Sequence, residues 1–155
     1  SDKFIEFIEG TIKQYSWLAQ LISFEITEVC NIQDEVKAQA MLSKLRQYGF
    51  SISIDDFGTG YSSLGRLHHF AIDVLKIDRS FVSRIGIEQG NLEITETIVT
   101  LAQKLGVDVT AEGVETKEQL AQLKKLKCKY GQGYFFSQPL ESIAAEALIV
   151  ANPQW

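Results

Sequence analysis

The chain of 155 residues is poor in cysteine, with Cys30 and Cys128 alone. Two thiols so far apart make neither a disulfide framework nor a thiolate metal knuckle, and they read as reduced residues of a cytoplasmic protein. No apolar run approaches the roughly 18 residues of a membrane span, so no membrane contact is expected from this segment. No basic stretch followed by an apolar one opens the chain, which leaves no visible signal peptide. An excess of positive charge is lacking too. The formal net charge is −5, which argues against a partner that is a nucleic-acid polymer. An acidic chain can still take a phosphate ester where metal cations stand at the site, because the ion's own charge dominates locally. Low-complexity stretches and linkers are also absent. What remains is one domain's length of polypeptide, 45% hydrophobic, enough to bury a real core.

Helical and strand-like segments alternate along it. Residues 4–18 set Phe4, Ile5, Ile8, Ile12, Tyr15 and Leu18 on one helical face. Residues 22–27 read as a strand. Residues 35–48 carry Ala38, Met41, Leu42, Leu45 and Tyr48 at helical spacing, with Gly49 placed as a cap. A strand over 50–55, a short helix over 62–69 and a strand over 73–78 follow. Residues 92–105 align Ile94, Ile98, Leu101, Ala102 and Leu105, and Gly106 stops that helix. After a strand over 107–112, Thr116 and Gln119 have capping-box spacing and open a helix bearing Leu120, Leu123 and Leu126. A strand over 130–136, ended by Pro139, and a helix over 142–150 complete the pattern.

Strands each followed by a helix predict parallel β-α units, through the right-handed crossover rule. Within the strands the faces differ. Ser51, Ser53 and Asp55 oppose Ile52 and Ile54; Lys76 and Asp78 oppose Leu75 and Ile77; Asp108, Thr110 and Glu112 oppose Val107, Val109 and Ala111; Glu25 and Thr27 oppose Phe24 and Ile26. One face is apolar, as a layer of helices requires. The other turns polar or charged toward each strand's C-terminal end. A flat sheet covered on both faces would read as a nearly continuous apolar run instead. The pattern predicts an α/β fold of TIM-like barrel type, with functional groups at the C-terminal mouth. A whole (β/α)8 barrel needs roughly 250 residues. About five units are visible here, so a partial barrel whose first strands are missing is expected.

The strand-end groups are mostly carboxylates: Glu25 with Glu28, Asp55 with Asp56, Asp78, and Glu112 with Glu115. Lys76 and Gln132 join them. Like charges converging on one mouth repel unless something neutralises them. An oxygen-only ligand set suits hard cations, Mg²⁺ or Mn²⁺ rather than zinc. Two such ions side by side clamp a phosphodiester and ready a water for in-line attack. A single strand-end carboxylate more often caps the next helix or bonds loop amides; four successive strands repeating the pattern weaken that plainer explanation. Other residues keep plain explanations. His68 and His69 lack a third ligand nearby. Trp17 and Trp155 suit packing or terminal anchoring, and Asn91 to Leu105 suits a core-packing helix. Gly58, Gly60 and Gly65 are loop glycines with no lysine following, so a P-loop is excluded.

Five stretches, taken in order, become specific. Glu25-Ile26-Thr27-Glu28, Asp55-Asp56-Phe57-Gly58-Thr59-Gly60-Tyr61-Ser62-Ser63-Leu64, Lys76-Ile77-Asp78-Arg79-Ser80-Phe81-Val82, Ala111-Glu112-Gly113-Val114-Glu115-Thr116 and Gln132-Gly133-Tyr134-Phe135-Phe136-Ser137 resemble the later motifs of the EAL domain family. The resemblance runs over residues 4–150. It implies that residues 1–155 are the C-terminal part of a single EAL-type barrel domain that opens cyclic di-GMP to linear pGpG. It also implies roles. Glu25, Asp55, Asp56 and Glu112 become metal ligands, Asp55 bridging both ions and Glu112 serving as ligand or general base. Lys76 contacts the attacking water or the phosphate. Glu28 anchors the loop after Asp55-Asp56, and Asp78 and Gln132 are accessory polar groups.

There are departures. The Glu-Ala-Leu motif that names the family lies on an early strand, and an asparagine ligand on the next; both strands are missing from this chain, so the isolated 155 residues are expected not to turn over. Lys127 stands at a helix end where the family usually has glycine, and Gln138 replaces a common basic residue before Pro139. Two other readings remain open beside the enzyme: a degenerate domain that binds cyclic di-GMP without cutting it, and a partner-binding barrel. The intact carboxylates favour catalysis. Further domains in a longer chain are expected as partners; a homodimer stays open.

Overall fold

The computed structural model describes residues 2–27, 35–60, 70–86 and 89–155. In chain order these form α1 (Asp2–Gln14), a 3₁₀ turn (Ser16–Gln20), β1 (Ser23–Thr27), α2 (Glu35–Gln47), β2 (Ser51–Phe57), β3 (Val74–Ile77), α3 (Arg79–Val82), α4 (Gln89–Leu105), β4 (Asp108–Glu112), α5 (Lys117–Lys125), β5 (Tyr130–Gln132) and α6 (Ser142–Ala151). The strands make one five-stranded sheet in the order β1-β2-β3-β4-β5. Every neighbouring pair is parallel. Parallel neighbours cannot be joined by a hairpin, so the intervening chain crosses over the sheet. The expected α/β architecture of successive β-α units is what forms.

The alternation read from the sequence sorts the two faces. Ile52, Leu75, Ile77 and Ala111 are wholly or almost wholly buried, and Ile54 and Val109 lie beside them. Leu42 and Leu45 of α2, Ile98, Val99 and Ala102 of α4, and Leu123 of α5 complete that core. Each such Ile or Leu contributes roughly 1.5–3 kcal/mol through apolar burial. The opposite face carries Glu25, Ser53, Asp55, Lys76, Thr110 and Glu112, brought level by the register pairs Glu25–Ser53, Thr27–Asp55, Lys76–Thr110 and Glu112–Gln132.

The strand starts are tied by Asp73. Its backbone N–H donates to Ile52 O at 2.8 Å and its carbonyl accepts from Asp108 N at 2.9 Å. Its carboxylate accepts from Ile52 N at 2.9 Å and from Arg46 at 3.0 Å. At the chain's end, the Trp155 ring meets Phe135 and Phe136 edge-on, and its carbonyl accepts from Lys124. The anchoring role expected for that tryptophan holds; Trp17 is 58% exposed.

Local chemistry explains the boundaries. Gly49 and Gly106 have positive φ at the ends of α2 and α4, as their cap positions predict. Thr116 and Gln119 form the capping box in full. Three expectations need correction. The helix expected over 4–18 ends at Gln14 and tightens into the 3₁₀ turn, leaving Tyr15 exposed. On α4 the buried position is Thr95, whose hydroxyl donates to Asn91 O at 2.8 Å; Ile94 is exposed. The last strand, expected over 130–136, stops at Gln132, because Gly133 turns the chain and Phe136 N bonds back to Gly133 O. The helix expected over 62–69, with His68, His69 and Gly65, and also Cys30, lie outside the described residues.

Candidate metal centre

The polar face culminates at the C-terminal ends of β1, β2, β3 and β4. Lys76 on β3 points there, its side chain 12% exposed, between carboxylates of the three other strands. Its Nζ donates to Glu25 Oε2 at 3.0 Å and to Asp55 Oδ1 at 2.7 Å, and it pairs with Glu112 Oε1 at 2.8 Å. Burial alone would lower the Lys76 pKa, but the hydrogen bonds to Asp55, Glu112 and Glu25 outweigh it and hold the ammonium well above the ordinary lysine range. The group is therefore a fixed positive charge at any physiological pH.

Asp56 reaches the same place by a backbone irregularity. Consecutive strand residues point to opposite faces, so Asp55 and Asp56 in a regular strand would diverge. Between β2 and β3 the register shifts: Ile54 faces Leu75 but Phe57 faces Ile77, so one extra residue is accommodated on β2. Asp56 takes that strain with a φ of +54°, a left-handed conformation that aspartate tolerates better than most residues. The bulge lets both carboxylates serve one site. Asp55, Asp56 and Glu112 each offer a carboxylate oxygen, all within 4.8 Å of one another. Desolvation, then the neighbouring charges of Asp55 and Asp78, push the Asp56 carboxyl above the usual aspartate range.

Two glycines hold the surrounding backbone. Gly113 follows Glu112 with a φ of +72°, and a Cβ there would stand 2.5 Å from Arg79 Cβ. The end of β4 thus packs directly on the start of α3. A Cβ on Gly133 would lie 2.1 Å from Val114 O. That approach lets Val114 N bond Gln132 O at 3.0 Å and Phe135 N bond Val114 O at 2.9 Å, fixing Gln132 beside Glu112.

The structure brings together Glu25, Asp55, Glu112 and Lys76 through the lysine, and Asp55, Asp56 and Glu112 as a triad. Glu25 joins through Lys76 rather than as a member of that triad. Asp78 caps α3, accepting from Ser80 N at 3.0 Å, and acts on the site through its charge on Asp56. Gln132 sits opposite Glu112 in register with an exposed side chain. Glu115 is exposed on the far side of the turn, its N–H bonded to Gln119 Oε1 at 2.7 Å. Glu28 lies outside the described residues. Sequence reasoning missed the bulge, though it left a signal: apolar Ile52 and Ile54 are followed by apolar Phe57, a change of phase by one.

A triad of carboxylate oxygens fits a hard divalent cation, which takes oxygen ligands in a compact shell. Comparison with known proteins agrees with this chemistry. The EAL domain family model matches residues 1–139. A cyclic di-GMP phosphodiesterase of Pseudomonas aeruginosa, NbdA, is 42% identical over 147 residues, covering 95% of this chain and 19% of that protein. The chain thus spans about a fifth of that relative's length. The EAL domain of Mycobacterium smegmatis DcpA superposes with a TM-score of 0.92 at 35% identity, covering 100% of this chain and 70% of that one. A Klebsiella pneumoniae protein, BlrP1, solved as a complex with manganese and cyclic di-GMP, superposes with a TM-score of 0.68 at 37% identity, covering 74% of this chain and 29% of that one. The neighbours share the partial TIM-like barrel, and with the family model matched over nine-tenths of its residues, this chain belongs to the EAL domain family.

Proposed function

We propose that this chain is the C-terminal part of a single EAL-type barrel that hydrolyses one phosphodiester of cyclic di-GMP, giving linear pGpG. The observation that carries the reading is the triad Asp55, Asp56 and Glu112, with oxygens within 4.8 Å of one another beside Lys76. The names of the relatives support it, and so does the 70% share of the DcpA EAL domain that the chain spans. Asp55, Asp56 and Glu112 hold divalent cations, Mg²⁺ or Mn²⁺, with Glu25 completing the set. Two such ions, when bound, supply the positive charge that readies a water and stabilises the transferring phosphoryl oxygens.

The chain's own residues do the rest. Asp55 would be the ligand shared between the ions, and its contacts with Lys76 and its place beside Asp56 and Glu112 support that reading. Glu112, 17% exposed at the end of β4, is placed either to ligate or to take a proton from the attacking water. Lys76 would contact the attacking water or a phosphate oxygen once substrate is bound. Asp78 and Gln132 flank the site as accessory polar groups. No side chain needs to become covalently bound. In a longer protein, flanking domains supply the input, as the one-fifth coverage of NbdA suggests.

The test is an assay of a full-length version for Mg²⁺-dependent conversion of cyclic di-GMP to pGpG. Turnover supports the reading. Binding of cyclic di-GMP without any product, at saturating Mg²⁺ and Mn²⁺, would make it a sensor module instead.

A further inference from the structure

An ammonium group has three N–H donors. Lys76 meets three carboxylate oxygens, of Glu25 at 3.0 Å, Asp55 at 2.7 Å and Glu112 at 2.8 Å. The three donors are therefore matched one to one with carboxylates from β1, β2 and β4. In this arrangement Lys76 has no donor left for a phosphate oxygen. Two of its partners, Asp55 and Glu112, are also members of the triad with Asp56. The same two carboxylates can thus face two kinds of cation. A divalent ion within about 4 Å of an ammonium is repelled strongly in a half-buried site, and the lysine stem has free torsions with which to yield.

We propose that Lys76 is an exchangeable counter-ion of the carboxylate ring, displaced from Asp55 and Glu112 by the divalent cations and thereby released to bind the substrate phosphate. The proposal rests on the reading above that the triad takes divalent metal. It adds an order of events which that reading does not contain. Cation loading comes first; only then are the lysine donors open to an anionic ligand. Lys76 also competes with the metal, so it weakens metal affinity while it holds the carboxylates of three strands at one place. A side chain that merely stabilised the fold would show the last property and not the others.

The first measurement uses the complete wild-type domain. The Lys76 ¹⁵Nζ signal, assigned through bonds from its backbone, is followed during a Mg²⁺ titration. The expected result is an ammonium protected from solvent exchange that shifts and loses protection in step with Mg²⁺ saturation. The second uses Lys76→Met and calorimetric Mg²⁺ titration, with an expected gain in affinity of roughly tenfold, about 1.4 kcal/mol. If the variant does not fold, the wild-type titration decides alone. Saturable Mg²⁺ binding that leaves the Lys76 signal and its protection unchanged overturns this inference and leaves the functional reading standing. Equal or weaker Mg²⁺ affinity in a folded Lys76→Met does the same. Failure of the complete domain to bind Mg²⁺ at all removes the functional reading, and this inference with it.

Discussion

The two ends of the parallel strands treat charge in opposite ways. At the N-terminal end, anions and cations balance one to one: Asp73 meets Arg46 at 3.0 Å and Asp108 meets Lys129 at 2.7 Å. Asp73 also spends its second oxygen on the Ile52 N–H, so its bonding capacity goes into the backbone. At the C-terminal end a single lysine faces Glu25, Asp55 and Glu112, with Asp56 and Asp78 beside them. Balanced charge at one end ties strands together. At the other, desolvation and then the unbalanced charge raise the Asp56 pKa, and the excess favours further cations. Function is read from the excess, in keeping with the general asymmetry of such barrels.

The largest expected effect comes from breaking the charged end. In a complete domain, Asp55→Asn should lower cyclic di-GMP hydrolysis by at least about 100-fold, since even the outer partners of metal ligands are worth 10–100-fold. The fold should stay intact, because Lys76 keeps Glu25 and Glu112 as partners when the Asp55 charge is lost. Kinetics and thermal melting on the same sample check both halves.

The mirror experiment breaks the balanced end. Asp73→Ala strands the N–H of Ile52, a residue with no solvent exposure. The expected loss is about 2 kcal/mol, or roughly 4–8 °C in a chain of this size. Metal affinity should stay at the wild-type value. A drop in metal affinity equal to that of Asp55→Asn would erase the distinction between the ends.

Asp56→Asn sharpens the comparison through pH. The Asp56 carboxyl is held above its ordinary 3.8, so the folded chain binds that proton more tightly than the unfolded one. Its contribution to stability is full below the ordinary value and is lost as pH rises through the raised one. At neutral pH the ionised group therefore works against the fold. Asn removes the charge and suits the left-handed backbone at this position. Asp56→Asn should melt higher than wild type at neutral pH, with the gap closing in acid, while binding metal less tightly. A neutral-pH melting temperature below wild type would contradict this account of the bulge.

The smallest effect calibrates the others away from both ends. Lys127 follows α5 with a φ of +62°, the left-handed cap that glycine fills at least cost. Lys127→Gly should stabilise by about 0.5–1 kcal/mol, the left-handed penalty less the entropy cost of glycine. A rise of roughly 1–4 °C with unchanged metal affinity is expected.

Much of this was legible in the chain. The succession of strand and helix predicted the parallel sheet, and period-two alternation in 51–55 and 107–112 predicted the face on which Glu25, Asp55, Lys76 and Glu112 meet. Cap residues Gly49, Gly106 and Thr116 marked helix ends, because they act locally. The cost at Lys127 was foreseeable from its place after a helix, and its φ of +62° agrees. What escaped was set by contacts distant in sequence. The end of β5 depends on Gly133 passing within bonding distance of Val114, which no local pattern encodes. The burial of Thr95 in place of Ile94 depends on the pitch at which α4 meets the sheet. The three-way engagement of Lys76 requires four strands in register, and the β2 bulge left only the displaced Phe57 as its trace.

The most direct measurement is a calorimetric Mn²⁺ titration of wild type, Asp55→Asn and Asp73→Asn side by side. Saturable binding by wild type and Asp73→Asn, with binding lost in Asp55→Asn, is the predicted result. Equal affinity in all three proteins would contradict the claim that the charge excess at the C-terminal ends of the strands is a metal site.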